Sequence, residues 1–174
     1  MPELIILEGV DSTGKSTLSK FLAFELRAAY FHASGHADMY NAMEAHHENM
    51  LNNIEVCLEH GMSVVVDRHW PSEYAYSRVL RPDNLKKYNF KKIMHRVDLL
   101  KPRYIRCVPC PESWERYLHV HADHDRKVFR HLTEAEYWAI NGEYQSLFDT
   151  IPHRTYSIGE NGKNLREFMK NLLQ

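Results

Sequence analysis

Nine residues near the start of the chain carry its strongest chemical signal: Gly9-Val10-Asp11-Ser12-Thr13-Gly14-Lys15-Ser16-Thr17. They fit the pattern G-x-x-x-x-G-K-[ST] at every fixed position. Glycines at Gly9 and Gly14 let main-chain N–H groups wrap a phosphate. A helix starting near Lys15 aims the positive end of its dipole at the same anion. The Lys15 ammonium reaches the outer phosphates of a nucleoside triphosphate, and the Ser16 hydroxyl suits Mg²⁺. Gly9, Ser12, Thr13, Gly14, Lys15, Ser16 and Thr17 are therefore the expected ATP-binding residues, with ATP as phosphate donor.

A second signal is Ser63-Val64-Val65-Val66-Asp67 followed by Arg68. A buried strand that ends in Asp beside a phosphate loop offers the carboxylate partner of a Mg²⁺ ion. Ser16 and Asp67 are the expected metal residues. The Arg68 guanidinium can hold a phosphate with a two-pronged fork.

These groups need elements to position them. Leu4–Leu7 is a short apolar run ending at Gly9 and reads as a buried strand. Lys15 to about Ala29 has apolar residues at helical spacing. Tyr30–Ala33 reads as a strand, Asp38 to about His60 as a helix closed by Gly61, and Met62–Val66 as a buried strand. Pro71 opens a further helix, and Asp83 or Asn84 caps another running to about Leu100. Tyr104–Val108 reads as a strand and Pro111 to about His121 as a helix. Thr133 with Glu136 makes a capping box for a helix to about Phe148, before a strand at Thr155–Ile158 and a helix at Asn161–Leu173. Strands alternating with helices predict parallel βαβ units and a three-layer α/β domain.

Composition bounds the rest. The chain has 174 residues, 44% apolar and 26% charged, which fits one globular domain and excludes disordered, collagenous and disulfide-scaffold classes. With 22 basic and 23 acidic residues the formal charge is −1, so a protein that coats nucleic acid is not expected. The apolar runs are too short to span a bilayer, and Met-Pro-Glu-Leu shows no basic leader segment. Three cysteines suit a reducing compartment, so the expected address is cytoplasmic.

Two stretches together resemble the thymidylate kinase family of P-loop nucleoside monophosphate kinases. One is Leu7-Glu8-Gly9-Val10-Asp11-Ser12-Thr13-Gly14-Lys15-Ser16-Thr17; the other is Asp67-Arg68-His69-Trp70-Pro71-Ser72-Glu73-Tyr74-Ala75-Tyr76, similar to D-R-[YH]-x-x-S-x-x-A-Y. The resemblance implies a P-loop kinase fold over 1–174, with a five-stranded parallel sheet flanked by helices and a lid at about 121–132. It implies Mg²⁺-dependent transfer of the ATP γ-phosphate to a nucleoside monophosphate. Asp11 is then expected at the acceptor sugar, favouring deoxyribose, with Arg68 at the acceptor phosphate and Ser72 and Tyr76 lining the acceptor site. Arg126, or as second choice Arg130, is expected to act from the lid, so Lys15, Arg68 and Arg126 are the expected catalytic set. A homodimer is expected by the same likeness.

The chain departs from the family at the base. The positions that usually offer an aromatic and an arginine fall near Met43 and His46, and the usual glutamine after A-Y is Ser77. A site built this way does not read thymine by the usual hydrogen bonds, which leaves a modified pyrimidine, deoxyuridylate or a purine open. One rival is a deoxynucleoside kinase; it would want a carboxylate at the end of the second strand, where the sequence reads His32-Ala33-Ser34-Gly35. Another is a nucleotide-binding module without metabolite kinase activity. Cys107-x-x-Cys110 lacks the two further ligands of a zinc site, and the histidine groups read as surface or lid residues. Lys86–Lys92 reads as a solvated helix face.

Overall fold

The computed structural model describes residues 1–33, 43–86, 89–122, 131–158 and 165–173, the side chains of Met43, Glu44, Asn84, Lys86 and Leu173 excepted. Five strands form one parallel sheet: β1 (Leu4–Glu8), β2 (Ala29–His32), β3 (Val64–Asp67), β4 (Arg103–Val108) and β5 (His153–Ser157). Their spatial order is β2-β3-β1-β4-β5. The helices are α1 (Lys15–Leu26), α2 (Met43–Glu59), α3 (Trp70–Leu80), α4 (Phe90–Leu99), α5 (Ser113–His121), α6 (Glu134–Phe148) and α7 (Leu165–Leu173).

β1 and β3 are buried along their whole lengths, which is why they read as unbroken apolar runs rather than alternating ones. Successive β1 side chains enter two cores. Leu4 and Ile6 join Val64, Val66, Trp70 and the inner face of α6. Ile5 and Leu7 join Leu18, Leu22, Val65 and Tyr156 on the α1 and α7 side. Helices on both faces make the three layers.

The pairing register places the chemistry. Leu7 pairs with Asp67, and His32 also pairs with Asp67. The C-terminal ends of β2, β3 and β1 therefore stand side by side, where open α/β sheets take their ligands. No helix among the described residues is long and apolar enough to cross a membrane.

Several boundaries differ from the sequence reading. α1 ends at Leu26 because Arg27 turns left-handed at φ 51° and its N–H closes on the carbonyls of Ala23 and Phe24. Asp83 and Asn84 lie in a 3₁₀ turn over Pro82–Lys86, and Asn89 is the residue that caps α4, accepting from the Lys92 N–H at 3.2 Å. α5 begins at Ser113, whose hydroxyl accepts from the Cys110 N–H at 2.9 Å. β5 begins two residues earlier than expected and ends one earlier, in register with β4 through Tyr104–His153. The Thr133–Glu136 capping box stands as read. The expected helix start at Asp38 lies outside the described residues.

Candidate active site

The loop from Gly9 to Gly14 joins β1 to α1. Gly9 has φ +145°, and a Cβ there would stand 2.1 Å from the Cys107 carbonyl oxygen of β4, so that glycine is required by strand packing. Ser12 at φ 62° and Gly14 at φ 82° are left-handed, which turns the loop over itself before α1 begins. Thr13 is fully buried and donates to the Val10 carbonyl at 2.8 Å. Lys15 Nζ folds back inside the loop, 2.6 Å from the same carbonyl and 3.3 Å from Thr13 Oγ1. Burial, and then the neighbouring Arg68, pull the Lys15 pKa down to about 8. Ser16 and Thr17 are exposed at the mouth.

Asp67 closes β3 opposite the loop. Its Oδ2 accepts from Ser16 Oγ at 2.5 Å and from Tyr30 at 3.3 Å, and lies 3.0 Å from His32 Nδ1. Burial opposes its charge. The His32 contact, Lys15 and Ser16 outweigh burial and hold the carboxyl well below the usual range. Its Oδ1 is buried without a hydrogen-bond partner among the described residues. A hydroxyl and a fully ionised carboxylate with one free oxygen form a hard-oxygen set that fits Mg²⁺. Among the described residues no group of three or more His, Cys, Asp or Glu side chains could hold a metal by itself.

Arg68, the next residue, is left-handed at φ 72°. This turn sends its guanidinium back over the loop. Nη2 forms an ion pair with Asp11 and lies 3.4 Å from the Tyr76 hydroxyl. Nη1 donates to Ser72 and to Tyr144, at 3.1 Å each. Tyr76 donates to the other Asp11 oxygen at 2.8 Å. Burial pushes the Asp11 carboxyl up, but Arg68, Lys15 and Tyr76 together bring it below its ordinary value. Asp11, Arg68, Ser72 and Tyr76, expected together from sequence, thus meet in one cluster.

The remaining expected residues are more scattered. His46 sits on α2 with its Nε2 buried and unpartnered among the described residues, and its ring is edge-on to His47 at 5.8 Å. His47 in turn lies edge-on to His69 at 5.0 Å. Burial keeps the His47 and His69 rings neutral, with His47 pulled down to about 4 and His69 held well below the usual imidazole value. Met43 heads α2, but its side chain, like Arg126 and Arg130, lies outside the described residues.

Four participants escape the sequence reading: His32 beside Asp67, and Glu8, Tyr137 and Tyr144 around Arg68. Glu8 is fully buried below Arg68, accepting from the His69 N–H at 2.6 Å and from the Ser72 hydroxyl. Burial pushes its pKa up to about 7 against those two hydrogen bonds and two nearby cations. Tyr137 and Tyr144 reach the cluster from α6; nothing in a buried helical stripe distinguishes such tyrosines from core. The one signal for Glu8 is a charged residue at the end of an otherwise apolar strand. Cys107 and Cys110 are free thiols, with burial pushing Cys107 up to about 12, which agrees with a structural reading.

No family model matches the chain, and no curated protein matches it. Solved structures do. The YorR protein of Bacillus subtilis, in complex with phosphorylated GDP, aligns at a TM-score of 0.62 and 17% identity, over 98% of this chain and 93% of that one. Deoxyadenosine kinase from M. mycoides with bound dCTP aligns at 0.62 and 16% identity, over 98% of both chains. The same enzyme with the products dCMP and dCDP aligns at 0.59 and 14%, over 97% of both. The resemblance to thymidylate kinases is thereby carried at the coarser level of architecture: this chain has the fold of the P-loop kinases.

Proposed function

We propose that the protein transfers the γ-phosphate of ATP to a nucleoside monophosphate, preferably a deoxynucleotide, in a Mg²⁺-dependent reaction. One observation carries this reading. A second, largely buried cation, Arg68, is held by Asp11 at the mouth of the loop that leads to Lys15. Two cations, one at the start of α1 and one just after β3, provide for two phosphates, the donor tail at Lys15 and the acceptor at Arg68. Transfer between them is chiefly positioning and charge stabilisation. An acceptor phosphate oxygen is already anionic and needs no strong base.

In this reading the loop amides and Lys15 bind the triphosphate, and Asp11 meets the acceptor sugar. Ser72, Tyr76, Met43 and His46 line the acceptor pocket. Ser16 and Asp67 would hold Mg²⁺, which when bound neutralises phosphate charge. Arg126, or as second choice Arg130, supplies lid charge. The free cysteines fit a cytoplasmic address.

A second reading has its own observation. The end of β2 lacks a carboxylate, but His32 Nδ1 lies 3.0 Å from Asp67 there, and the His32 side chain is 42% exposed. An imidazole oriented by a carboxylate can accept a proton from a sugar hydroxyl, as a nucleoside kinase requires. A panel of deoxynucleosides and their monophosphates, assayed with Mg²⁺ and ATP, separates the two. Phosphorylation of monophosphates supports the first reading. Turnover of nucleosides alone replaces it with the second, and turnover of neither class overturns both.

A further inference from the structure

α6 touches both halves of the site, although no residue on it belongs to the loop or to the Arg68 segment. Tyr137 donates to the main-chain carbonyl of Asp11 at 3.0 Å. Two helical turns later, Tyr144 accepts from Arg68 Nη1 at 3.1 Å and lies 2.7 Å from the Ser72 hydroxyl. Both tyrosines are fully buried on the inner face of the helix, in line with Ile140 and Phe148. Seven residues of helix separate their origins by about 10 Å.

Asp11 is thus held at both ends. Its carbonyl accepts from Tyr137, while its carboxylate binds Arg68, which donates to Tyr144. The helix between the tyrosines closes the circuit.

We propose that Tyr137 and Tyr144 are positioning residues: with Asp11 and Arg68 they form a closed hydrogen-bonded ring whose rigid side, α6, fixes the separation between the donor loop and the acceptor-binding guanidinium. The proposal rests on the reading of Arg68 as the acceptor's phosphate ligand. α6 is suited to the role because it is anchored independently. Its first turn carries the capping box, the preceding Leu132 N–H donates to Tyr117 at 2.7 Å, and Glu143 pairs with Arg78 of α3 at 2.7 Å. α3 itself carries Ser72 and Tyr76, so the acceptor side is fixed to the same helix. Burial pushes the phenol pKa of both tyrosines upward, which keeps their hydroxyls available as donors. Displacement of reacting groups by an ångström can cost about a hundredfold in rate. A link that sets this distance therefore appears in turnover more than in binding.

The ring makes a prediction that separate hydrogen bonds do not. Sites this far apart with no shared partner normally contribute additively. Cutting a ring at either link opens it, so a second cut adds little. Tyr137→Phe, Tyr144→Phe and the double variant keep the rings and remove only hydroxyls. Each single variant is expected to lower kcat about tenfold, with KM for ATP and acceptor changing less than about threefold. The double variant should be at most about twofold slower than the slower single one. Multiplied losses, losses confined to KM, or wild-type kinetics in both single variants overturn the proposal. The same cycle is run on thermal midpoint, which needs no acceptor, because the ring is already closed in the free protein. A wild type that phosphorylates no acceptor overturns the proposed function; the ring is then decided by that midpoint cycle, non-additive losses supporting it and additive or absent losses overturning it.

Discussion

Gly9 of the phosphate loop lies directly against the backbone of Cys107 in β4: a Cβ added to the glycine would meet the Cys107 carbonyl oxygen at 2.1 Å. A contact with main chain cannot be relieved by a side-chain rotation. The φ of +145° adds strain for any residue with a side chain. Gly9→Ala must therefore displace either β1 or β4. The expected loss is about 3 kcal/mol of stability, or about 10 °C in thermal midpoint, together with weakened ATP binding. A variant that melts with the wild type and binds ATP normally would contradict this packing.

Lys15 makes a different prediction, because the proposed function gives it the triphosphate while its burial is costly to the empty protein. Its ammonium is almost fully buried, and among the described residues it donates to Val10 and Thr13. Burial depresses its pKa to about 8, which means that the charged form is disfavoured before a phosphate arrives. Lys15→Ala is expected to reduce phosphoryl transfer about a thousandfold while moving the thermal midpoint by only a few degrees. Near-normal turnover would remove Lys15 from the mechanism.

Asp67 tests the metal. Its Oδ1 has no hydrogen-bond partner among the described residues, while Oδ2 is taken by Ser16, Tyr30 and His32. Asp67→Asn keeps the shape but removes the charge. The Mg²⁺ concentration needed for half-maximal activity should rise about tenfold or more, and so should the Mg²⁺ dependence of ATP-analogue affinity. Chelation of divalent ions should abolish transfer in the wild type. An unchanged Mg²⁺ titration in the variant would show that the carboxylate serves only the loop.

Glu8 gives a pH dependence with a definite sign. Burial raises its carboxyl from 4.5 to about 7 in the folded protein. Between those two values the folded state holds a proton that the unfolded chain has released. The stabilisation from this group is complete below about 4.5 and is lost as the pH rises through about 7. Glu8→Gln carries no charge at any pH and can still accept from the His69 N–H. Its thermal midpoint relative to wild type should therefore improve between pH 5 and pH 8, by about 5 °C. A difference that is flat with pH would place the titration elsewhere.

The sequence by itself determined the parts whose physics is local. The Gly9–Thr17 loop and the β-branched strand ending in Asp67 were legible because phosphate wrapping and strand burial each impose a short pattern on neighbouring residues. The Thr133–Glu136 box was legible for the same reason. The helix ends at Arg27 and Asn89 were not, since a left-handed turn and a capping choice among several Asp and Asn residues depend on what packs beyond them. Asp11, Arg68, Ser72 and Tyr76 could be named from their motifs, but the motifs do not say that the guanidinium is already bonded to the carboxylate. Glu8, His32, Tyr137 and Tyr144 were invisible as site residues. They come from three different elements, and only the register of β1, β2 and β3 and the packing of α6 across them bring them to Asp67 and Arg68. A buried tyrosine or glutamate becomes a functional group only through the partner opposite it, and that partner is chosen by tertiary contact.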